Sequence, residues 1–334
     1  MFTIGLSLPA IFGATAPKGN FADLETKGWE MVVSWNDKFK VAGKDFGYDL
    51  RFTLADNSAV IKKYVNPDKR LSDYYEGQRI GEIWGYTTEG FFTSADDVTK
   101  HASQVLFLST SNGKSLPGDI KLLDRNKDGV VNFGTNRIGD TGDRTIIGNN
   151  SPRYYYGISL GGDWNNFSLS AFFQGVGKQD WFPSTEAGVF WGQYNRPYNK
   201  IPRWQLDNHW TPENPDALLP RYVARLANRN QGILREAQTR YILNVAYIRL
   251  KNIQLGYTLP RKISSKISAS NARFYVSAEN IWTWSPLYRI THDIDPENAV
   301  PSDQVFTSTT TPNYGDAYNY PLLKGVTFGL SVSF

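Results

Sequence analysis

The chain of 334 residues contains no cysteine, three histidines and two methionines. Without cysteine it can form no disulfide bond, no thiolate metal site and no cysteine nucleophile. No stretch approaches the ~18 consecutive apolar residues of a membrane-spanning helix. Basic and acidic residues number 36 and 32, and this balance does not indicate a nucleic-acid partner. Residues 1–8 alternate like a strand and lack a basic secretory leader, so the chain is expected to begin within a fold.

Signatures of catalysis are missing as well. The three histidines, His101, His209 and His292, lie far apart in the sequence, without the spacing of paired metal ligands. There is no Gly-x-Ser-x-Gly elbow and no Gly-Lys-Ser/Thr phosphate loop. The sequence therefore predicts a protein that is not an enzyme.

Aromatic residues are plentiful, with 19 Tyr, 19 Phe and 10 Trp, and the most regular pattern lies in the last fifteen residues. There, small polar residues alternate with apolar ones. A period of two predicts a strand with one apolar and one polar face. A last strand of this kind, ending on an aromatic residue, is typical of outer-membrane β-barrels, so the sequence predicts a transmembrane wall. The apolar positions are Val326, Phe328, Leu330, Val332 and Phe334.

The same alternation recurs along the chain and predicts an all-β, antiparallel protein with about nine strands. Between Leu250 and Ile253 the apolar residues change parity, which predicts a β-bulge near Asn252. The predicted strands are centred on residues 1–8, 29–35, 46–54, 78–92, 154–160, 167–173, 243–259, 274–284 and 326–334.

The connections between these strands are unequal in length. Residues 162–166 and 260–269 are short, whereas about 93–150, 177–240 and 285–319 are long and polar. Several long loops are unusual in a compact soluble domain. Outer-membrane barrels combine short periplasmic turns with long extracellular loops. We therefore expect the three long loops to be extracellular.

Nine strands do not make a complete barrel, because single-chain bacterial barrels have an even number of strands. An open sheet edge facing lipid would leave backbone groups unpaired at a high cost in free energy. Residues 1–334 are therefore expected to be the C-terminal part of a larger barrel. With this topology the stretch 56–77 is expected to be a periplasmic connection.

Several phrases in order along the chain carry a family resemblance. They include Leu8–Pro17, Gly81–Phe92, Pro117–Lys121, Asp143–Asn149, Trp210–Pro215 and Tyr247–Tyr257. Together they resemble the SusC/RagA-like TonB-dependent outer-membrane transporters, over nearly the whole chain.

That resemblance implies a 22-stranded barrel with a plugged lumen. It also implies active import of glycans or oligopeptides across the outer membrane, driven by the TonB complex and assisted by a SusD-like surface lipoprotein. The TonB-contacting segment, the plug and the N-terminal domains are expected to lie outside residues 1–334. Coupling to TonB is therefore implied only for a longer protein.

One local motif indicates a metal. Asp124-x-Asn126-x-Asp128-Gly129-Val130 matches the first half of a calcium loop, with oxygen donors at alternate positions and a glycine at the tight turn. A backbone carbonyl at Val130 would complete this half.

The second half departs from the pattern, because Thr135 stands where an EF-hand has glutamate. Asp143 or Asp140 could supply the carboxylate, with help from Asp119. The alternative interpretation is an Asx-rich turn without metal. The sequence predicts a structural Ca²⁺ ion, with ligands Asp124, Asn126, Asp128, Val130 and Asp143.

Aromatic residues of the long loops are candidates for contact with a sugar, because their rings offer flat apolar faces. The alternative is that they pack the loop onto itself or onto the lipoprotein. Trp282, Trp284 and Tyr288 are predicted girdle residues, and Arg249 and Lys251 are predicted to lie on a solvated rim. The substrate candidates are Trp181, Trp191, Tyr194, Trp204 and Trp210, with Phe182, Phe190 and Tyr198 beside them.

Two other functions stay open at this point. One is a secreted or surface β-rich adhesin that binds glycans, and the other is a soluble glycoside hydrolase with a pair of carboxylates. Exposure of the apolar strand faces distinguishes the membrane protein from both.

Overall fold

The computed structural model describes residues 2–4, 18–20, 22–107, 114–299 and 322–334. The predicted strand at 1–8, the phrase Leu8–Pro17 and the loop 285–319 therefore lie partly or wholly outside the described residues. Short α-helices cover Ala95–Lys100, Gly188–Trp191 and Arg261–Ser264. In the ranges described, no helix has the length and apolar character needed to span a bilayer. Single 3₁₀ turns cover Gly192–Tyr194, Arg203–Gln205, Thr239–Tyr241, Ser265–Ile267, Pro286–Arg289 and Pro296–Asn298.

Strands dominate the described chain, and all their pairings are antiparallel. In chain order they are β1 (Phe2–Ile4), β2 (Lys18–Asn20), β3 (Asp23–Val41), β4 (Lys44–Lys63), β5 (Glu82–Gly85), β6 (Thr88–Phe91), β7 (Ile120–Leu122), β8 (Thr145–Asn149), β9 (Arg153–Trp164), β10 (Phe167–Lys178), β11 (Asp180–Trp181), β12 (Leu243–Asn244), β13 (Tyr247–Thr258), β14 (Asn271–Trp284) and β15 (Gly325–Ser333).

Seven of the nine predicted strands form one open sheet in the order β15-β14-β13-β10-β9-β4-β3. Each strand pairs with the next along this meander, so its connections alternate between the two ends. Strands β3 and β4 are 19 and 20 residues long, and beyond Ala55 they continue as a two-stranded ribbon without β9.

The short connections share one end of the sheet. Two of them are two-residue hairpin turns, Ala42–Gly43 and Asn165–Asn166, with all four φ values between 49° and 76°. Positive φ at both positions is the I′ turn that matches strand twist, and asparagine and glycine tolerate it best. The third short connection is 259–270. The sequence predicted short connections in two of these three places.

The long connections 64–152, 179–246 and 285–324 leave and rejoin the sheet at its opposite end. The first begins earlier than predicted, because 78–92 is not a strand of the main sheet. Strands β5 and β6 from that stretch pair instead with β8 and β7 inside the loop. The expectation that 56–77 is a connection at the short-turn end is therefore wrong: residues 56–63 continue β4 and the rest begins the first long loop.

The predicted β-bulge is confirmed. Between Leu250 and Asn252 the register of β13 shifts by one residue against β10 and against β14. Asn280, opposite this point on β14, adopts a φ of +53°. The shift keeps Leu250 and Leu255 on one face of the sheet although their sequence parity differs.

Candidate functional site

One face of the main sheet is apolar and open. The register places the apolar residues of all seven strands side by side, for example Val276 opposite both Phe328 and Leu255. Phe328 is 78% exposed and Leu330 is 59% exposed. A soluble protein rarely leaves so large a contiguous apolar surface uncovered. Other exposed members of this face are Trp29, Met31, Val33, Trp35, Leu50, Leu160, Phe167, Leu169, Phe274, Trp282 and Trp284.

The opposite face of the same strands carries small and polar side chains. Arg273 Nη2 donates to Ser168 Oγ at 2.9 Å, and Asn252 Nδ2 donates to Ser277 Oγ at 3.1 Å, so these groups bond across strands. Carboxylates and hydroxyls of several strands share this face, among them Asp49 and Asp163. The two faces differ strongly, as is typical of a sheet whose one side contacts an apolar medium and whose other side contacts water.

The buried core of the described chain lies at the long-loop end. We call the described residues of segments 64–152, 179–246 and 285–299 the loop body. All three segments contribute to one buried cluster, for example through Ile83, Trp181 and Leu287. The loops are therefore a folded cap with its own hydrophobic core.

The predicted substrate aromatics lie within this core or against it. Trp181, Trp191 and Tyr194 are at most 2% exposed. Trp204 and Trp210 are partly buried and pack against the same cluster. A substrate contact at the first three rings would require the loop body to open, because protein surrounds them.

Trp191 is at the centre of this aromatic packing. Its ring lies 4.9 Å from Phe190 and 5.1 Å from Tyr241 between centroids, and both pairs are edge-to-face. Its Nε1 donates to the carbonyl oxygen of Ser184 at 3.0 Å. These contacts match the alternative interpretation, in which the loop packs onto itself.

Tyr194 has a comparable role. Its hydroxyl donates to the carbonyl oxygen of Pro220 at 2.7 Å. Burial raises the pKa of this hydroxyl well above its ordinary value, so it stays a donor at neutral pH. Of the predicted neighbours, Phe182 and Phe190 are also buried, whereas Tyr198 is 78% exposed.

The prediction of a solvated rim at Arg249 is wrong. Arg249 is 2% exposed, and its guanidinium nitrogens lie 2.6 Å from Asp295 Oδ1 and 2.6 Å from Glu297 Oε2. Lys251 Nζ lies 3.0 Å from Glu297. The two carboxylates come from the third long loop, more than 40 residues away, and nothing local in the sequence indicates them. This ion cluster fastens that loop against β13 on the polar side.

Two further ion pairs join segments that are distant in the sequence. Arg153 Nε lies 2.5 Å from Asp56 Oδ1, where β9 meets the β3–β4 ribbon. Arg221 Nε lies 2.6 Å from Asp119 Oδ1. Burial raises the pKa of Asp119, while Arg221 opposes the rise. Asp119 therefore acts within a buried pair between the first two long loops, apart from the predicted calcium motif.

The calcium motif folds as a tight Asx-rich turn. Asp124 accepts N–H bonds from Lys127 at 2.7 Å and from Gly129 at 2.9 Å. Asn126 Oδ1 accepts from the Asp128 N–H at 3.0 Å. Gly129 has a φ of +86°, which a side chain would strain. Asp128 Oδ1 in turn accepts from the Val130 N–H at 2.9 Å.

Asp143 lies beside this turn and holds its ends together. Its carboxylate accepts from the N–H groups of Arg125 at 2.7 Å and of Asn132 at 2.8 Å. Asp140 bonds instead to the N–H of Thr135 at 3.1 Å. Within the residues that the structure covers, no three His, Cys, Asp or Glu side chains form a group able to hold a metal ion. The oxygen-only donor set is nevertheless of the kind that Ca²⁺ prefers.

Known proteins resemble this chain in sequence. TonB-dependent receptor P3 of Formosa agariphila is 26% identical over 341 residues, covering 98% of this chain and 30% of that protein. TonB-dependent receptor P26 of the same organism is 24% identical over 340 residues, covering 99% and 31%. No family model matches the chain.

Solved structures agree at the level of the fold. The RagAB peptide transporter superposes with a TM-score of 0.58 at 18% identity, over 99% of this chain and 32% of that one. The RagAB peptide importer in its open-open state gives a TM-score of 0.59 at 18% identity, over 100% and 31%. The predicted resemblance to TonB-dependent receptors is confirmed. The chain spans about a third of the length of these relatives. They are receptors and transporters, in agreement with the prediction that this chain is not an enzyme.

Proposed function

We propose that this chain forms part of the barrel wall of a SusC/RagA-like, TonB-dependent transporter that imports glycans or oligopeptides across the outer membrane. The observation that supports it best is the contiguous, exposed apolar face of the seven-stranded sheet. A soluble adhesin or hydrolase would bury such a face against a second layer. An integral outer-membrane protein turns it toward lipid.

The proposed barrel has 22 strands and a plug, of which this chain supplies a part. Strands β3 and β15 stand at the two edges of the described main sheet. In a bilayer both edges need partners, because unpaired backbone groups are costly in hydrocarbon. Further strands of a longer protein are the simplest partners, and the plug would fill the lumen.

The loop body is the proposed docking site for a SusD-like lipoprotein, with the long-loop end of the sheet outside the cell. Exposed apolar side chains stand on its second segment, including Tyr198, Leu206 and Tyr222. Aromatic residues are enriched at protein–protein interfaces, and the packed core of the loop body would hold these side chains in place. The TonB complex would act through parts of the protein beyond this chain.

Uptake by living cells tests this function. Cells that produce the full-length protein should accumulate a fluorescent oligosaccharide or oligopeptide, and a protonophore should abolish the accumulation. The protein should fractionate with the outer membrane, and a tagged form should retain a surface lipoprotein. Recovery of the protein in the soluble fraction, or uptake that persists after deletion of its gene, would contradict the proposal.

We also propose a structural Ca²⁺ ion at Asp124, Asn126, Asp128 and Val130, with Asp143 as the additional carboxylate. Hydrogen bonds fold Asp124, Asn126 and Asp128 into one tight turn, and each oxygen of Asp124 keeps a lone pair beyond the one N–H bond that it accepts. When bound, the ion would neutralise carboxylates of this loop and fix the loop. This role is structural.

Calcium removal tests this site. At 100 times the dissociation constant, Ca²⁺ should stabilise the loop body by about 2.7 kcal/mol, measured as a higher melting temperature in calcium than in EGTA. The variant Asp124→Ala should lose this difference in melting temperature. The control variant Asp96→Asn, which removes an exposed carboxylate on the helix Ala95–Lys100, should keep it. Equal melting temperatures of the wild-type protein in calcium and in EGTA would refute the proposal.

A further inference from the structure

The connection between β13 and β14 is strongly basic. Residues 259–270 include Arg261, Lys262 and Lys266 and contain no acidic residue. All three cations are exposed, and within the described part of the chain none of them forms an ion pair. Lys262 and Lys266 are four residues apart in a helical segment, a spacing at which like charges repel each other. An anionic partner from outside the described residues would relieve this repulsion.

The same connection carries two exposed isoleucines on a short helical segment. An α-helical turn at Arg261–Ser264 runs directly into the 3₁₀ turn Ser265–Ile267. The segment ends at Ser268, which has a φ of +55°. Ile263 and Ile267, one helical turn apart, are 50% and 55% exposed. A short helix that combines exposed apolar side chains with cations is amphipathic, as are segments that lie in the interface of a membrane.

The burial pattern at the start of β14 indicates that this connection folds over the apolar face. Ala272, on the apolar face, is 1% exposed, although Phe274 beside it on the same face is 49% exposed. Asn271, on the polar face, is exposed. The helical segment contacts β14, and Ala269 within the connection is buried together with Ala272. The basic segment therefore continues the apolar face at the short-turn end of the sheet.

The place of the connection in the proposed barrel puts it beside lipid, a step that rests on the proposed function. The plug would lie on the polar side of the sheet. Further strands would join at β3 and β15, the two edges of the described main sheet. The connection lies over the apolar face between β13 and β14, away from both. The parts that the proposed barrel adds to this chain therefore leave the connection facing the bilayer.

We propose that residues 259–270 bind the anionic headgroups of phospholipids at the short-turn end of the barrel. Arg261, Lys262 and Lys266 would contact the phosphates, and the two isoleucines would lie among the upper parts of the acyl chains. The long stems of lysine and arginine allow this, because they lie along apolar surface while the charge reaches the headgroups. Each basic residue near an anionic membrane surface adds to the attraction.

A lipid surface fits this connection better than a protein partner. Stable protein–protein interfaces use about 20–30 residues on each side, which is more than the connection contains. A lipid headgroup needs only a few cations beside apolar side chains that reach the acyl chains. Binding at this place would fix the depth of the short-turn end in the bilayer.

Lipid binding by the full-length protein tests the proposal. The protein in detergent is titrated with phosphatidylglycerol or with phosphatidylcholine, and bound lipid is followed by native mass spectrometry. Phosphatidylglycerol should bind more tightly, and replacing the three cations of the connection by glutamine should weaken its Kd roughly tenfold. A matched control that removes the same charge from exposed positions of the loop body should keep the Kd within about twofold. The control substitutions are Lys69→Gln, Lys200→Gln and Arg203→Gln.

A second measurement locates the connection in a bilayer. The full-length protein is placed in nanodiscs of phosphatidylglycerol and a phosphatidylcholine that carries bromine on its acyl chains, which quenches a nearby bimane dye. Bimane on Ile267→Cys should be quenched. Bimane on Phe328→Cys, on the apolar face of β15, should also be quenched. Bimane on Tyr198→Cys, on the loop body, should keep its fluorescence.

The outcomes separate this proposal from the proposed function. Equal affinity for the two lipids, an unchanged Kd in the glutamine variant of the connection, or equal weakening in the control would overturn the proposal. Quenching at Phe328→Cys without quenching at Ile267→Cys would also overturn it, because another part of the protein would then cover the connection, while the barrel wall would stand. Absence of quenching at both positions would contradict the barrel wall itself, and this proposal with it.

Discussion

The variant Leu330→Arg is expected to assemble poorly into the outer membrane, at a cost of about 2–4 kcal/mol if its side chain lies near the bilayer midplane. Leu330 stands within the nine-residue strand β15, opposite Phe274 on the apolar face. Its side chain is 59% exposed among the described residues, so a guanidinium at this position would extend away from them. The cost arises from placing a charge in hydrocarbon, and it should appear as a smaller folded fraction in urea titrations of the full-length protein in bilayers.

Thr327→Arg is the matched control, because it introduces the same charge on the same strand but on the polar face. Thr327 lies opposite Ser277, where water rather than lipid would solvate the guanidinium. Its free energy of unfolding should stay within about 0.5 kcal/mol of the wild-type value. If both variants assembled equally well, the apolar face would not contact lipid and the proposed wall would be refuted.

The main sheet could be predicted from sequence because its signal is local. Alternation of apolar and polar residues marks each of the seven strands within a window of about ten residues. Even the bulge beside Asn252 follows from a parity change between Leu250 and Ile253, since a register shift is the only way to keep both on one face.

The stretch 78–92 shows where local signals end. This Tyr- and Gly-rich stretch, which contains Ile83 and Phe91, alternates less regularly than the other predicted strands. Their partners, however, lie inside the loop: Ile83 pairs with Gly148, and Phe91 pairs with Ile120. Whether a short apolar strand joins the wall or a cap depends on these distant partners, which a period of two does not specify.

The candidate site was harder to predict for the same reason. A tryptophan in a long polar loop has the same sequence context whether its ring faces a ligand or a core. Arg249 alternates with Lys251 as on a solvated edge, yet Asp295 and Glu297 fold back and bury it. Conversely, Phe172 lies within an apolar strand pattern, and only the sheet register reveals that its ring is on the polar face.

The variant Trp191→Ala is expected to destabilise the loop body by about 3–5 kcal/mol, the usual cost of removing a fully buried large aromatic side chain. Trp191 is 0% exposed and contacts the rings of Phe182, Phe190 and Tyr241. Its loss leaves a cavity that the surrounding rings can fill only in part, and it removes the indole N–H bond to the Ser184 carbonyl, which then keeps only the Ala187 N–H. Hydrogen exchange of the amides in 181–245 should therefore accelerate by about two to three and a half decades.

Tyr198→Ala provides the control within the same loop, because this ring is 78% exposed. Its removal should change the free energy of opening, as measured by hydrogen exchange, by less than about 0.5 kcal/mol. Amides of the main sheet should keep their protection in both variants, since the loop body has its own core. Unchanged hydrogen exchange in Trp191→Ala, together with weaker ligand binding, would contradict this prediction and make Trp191 a substrate contact. An acceleration confined to the loop body would instead identify the buried aromatic cluster as the element that holds the three long loops in one rigid cap.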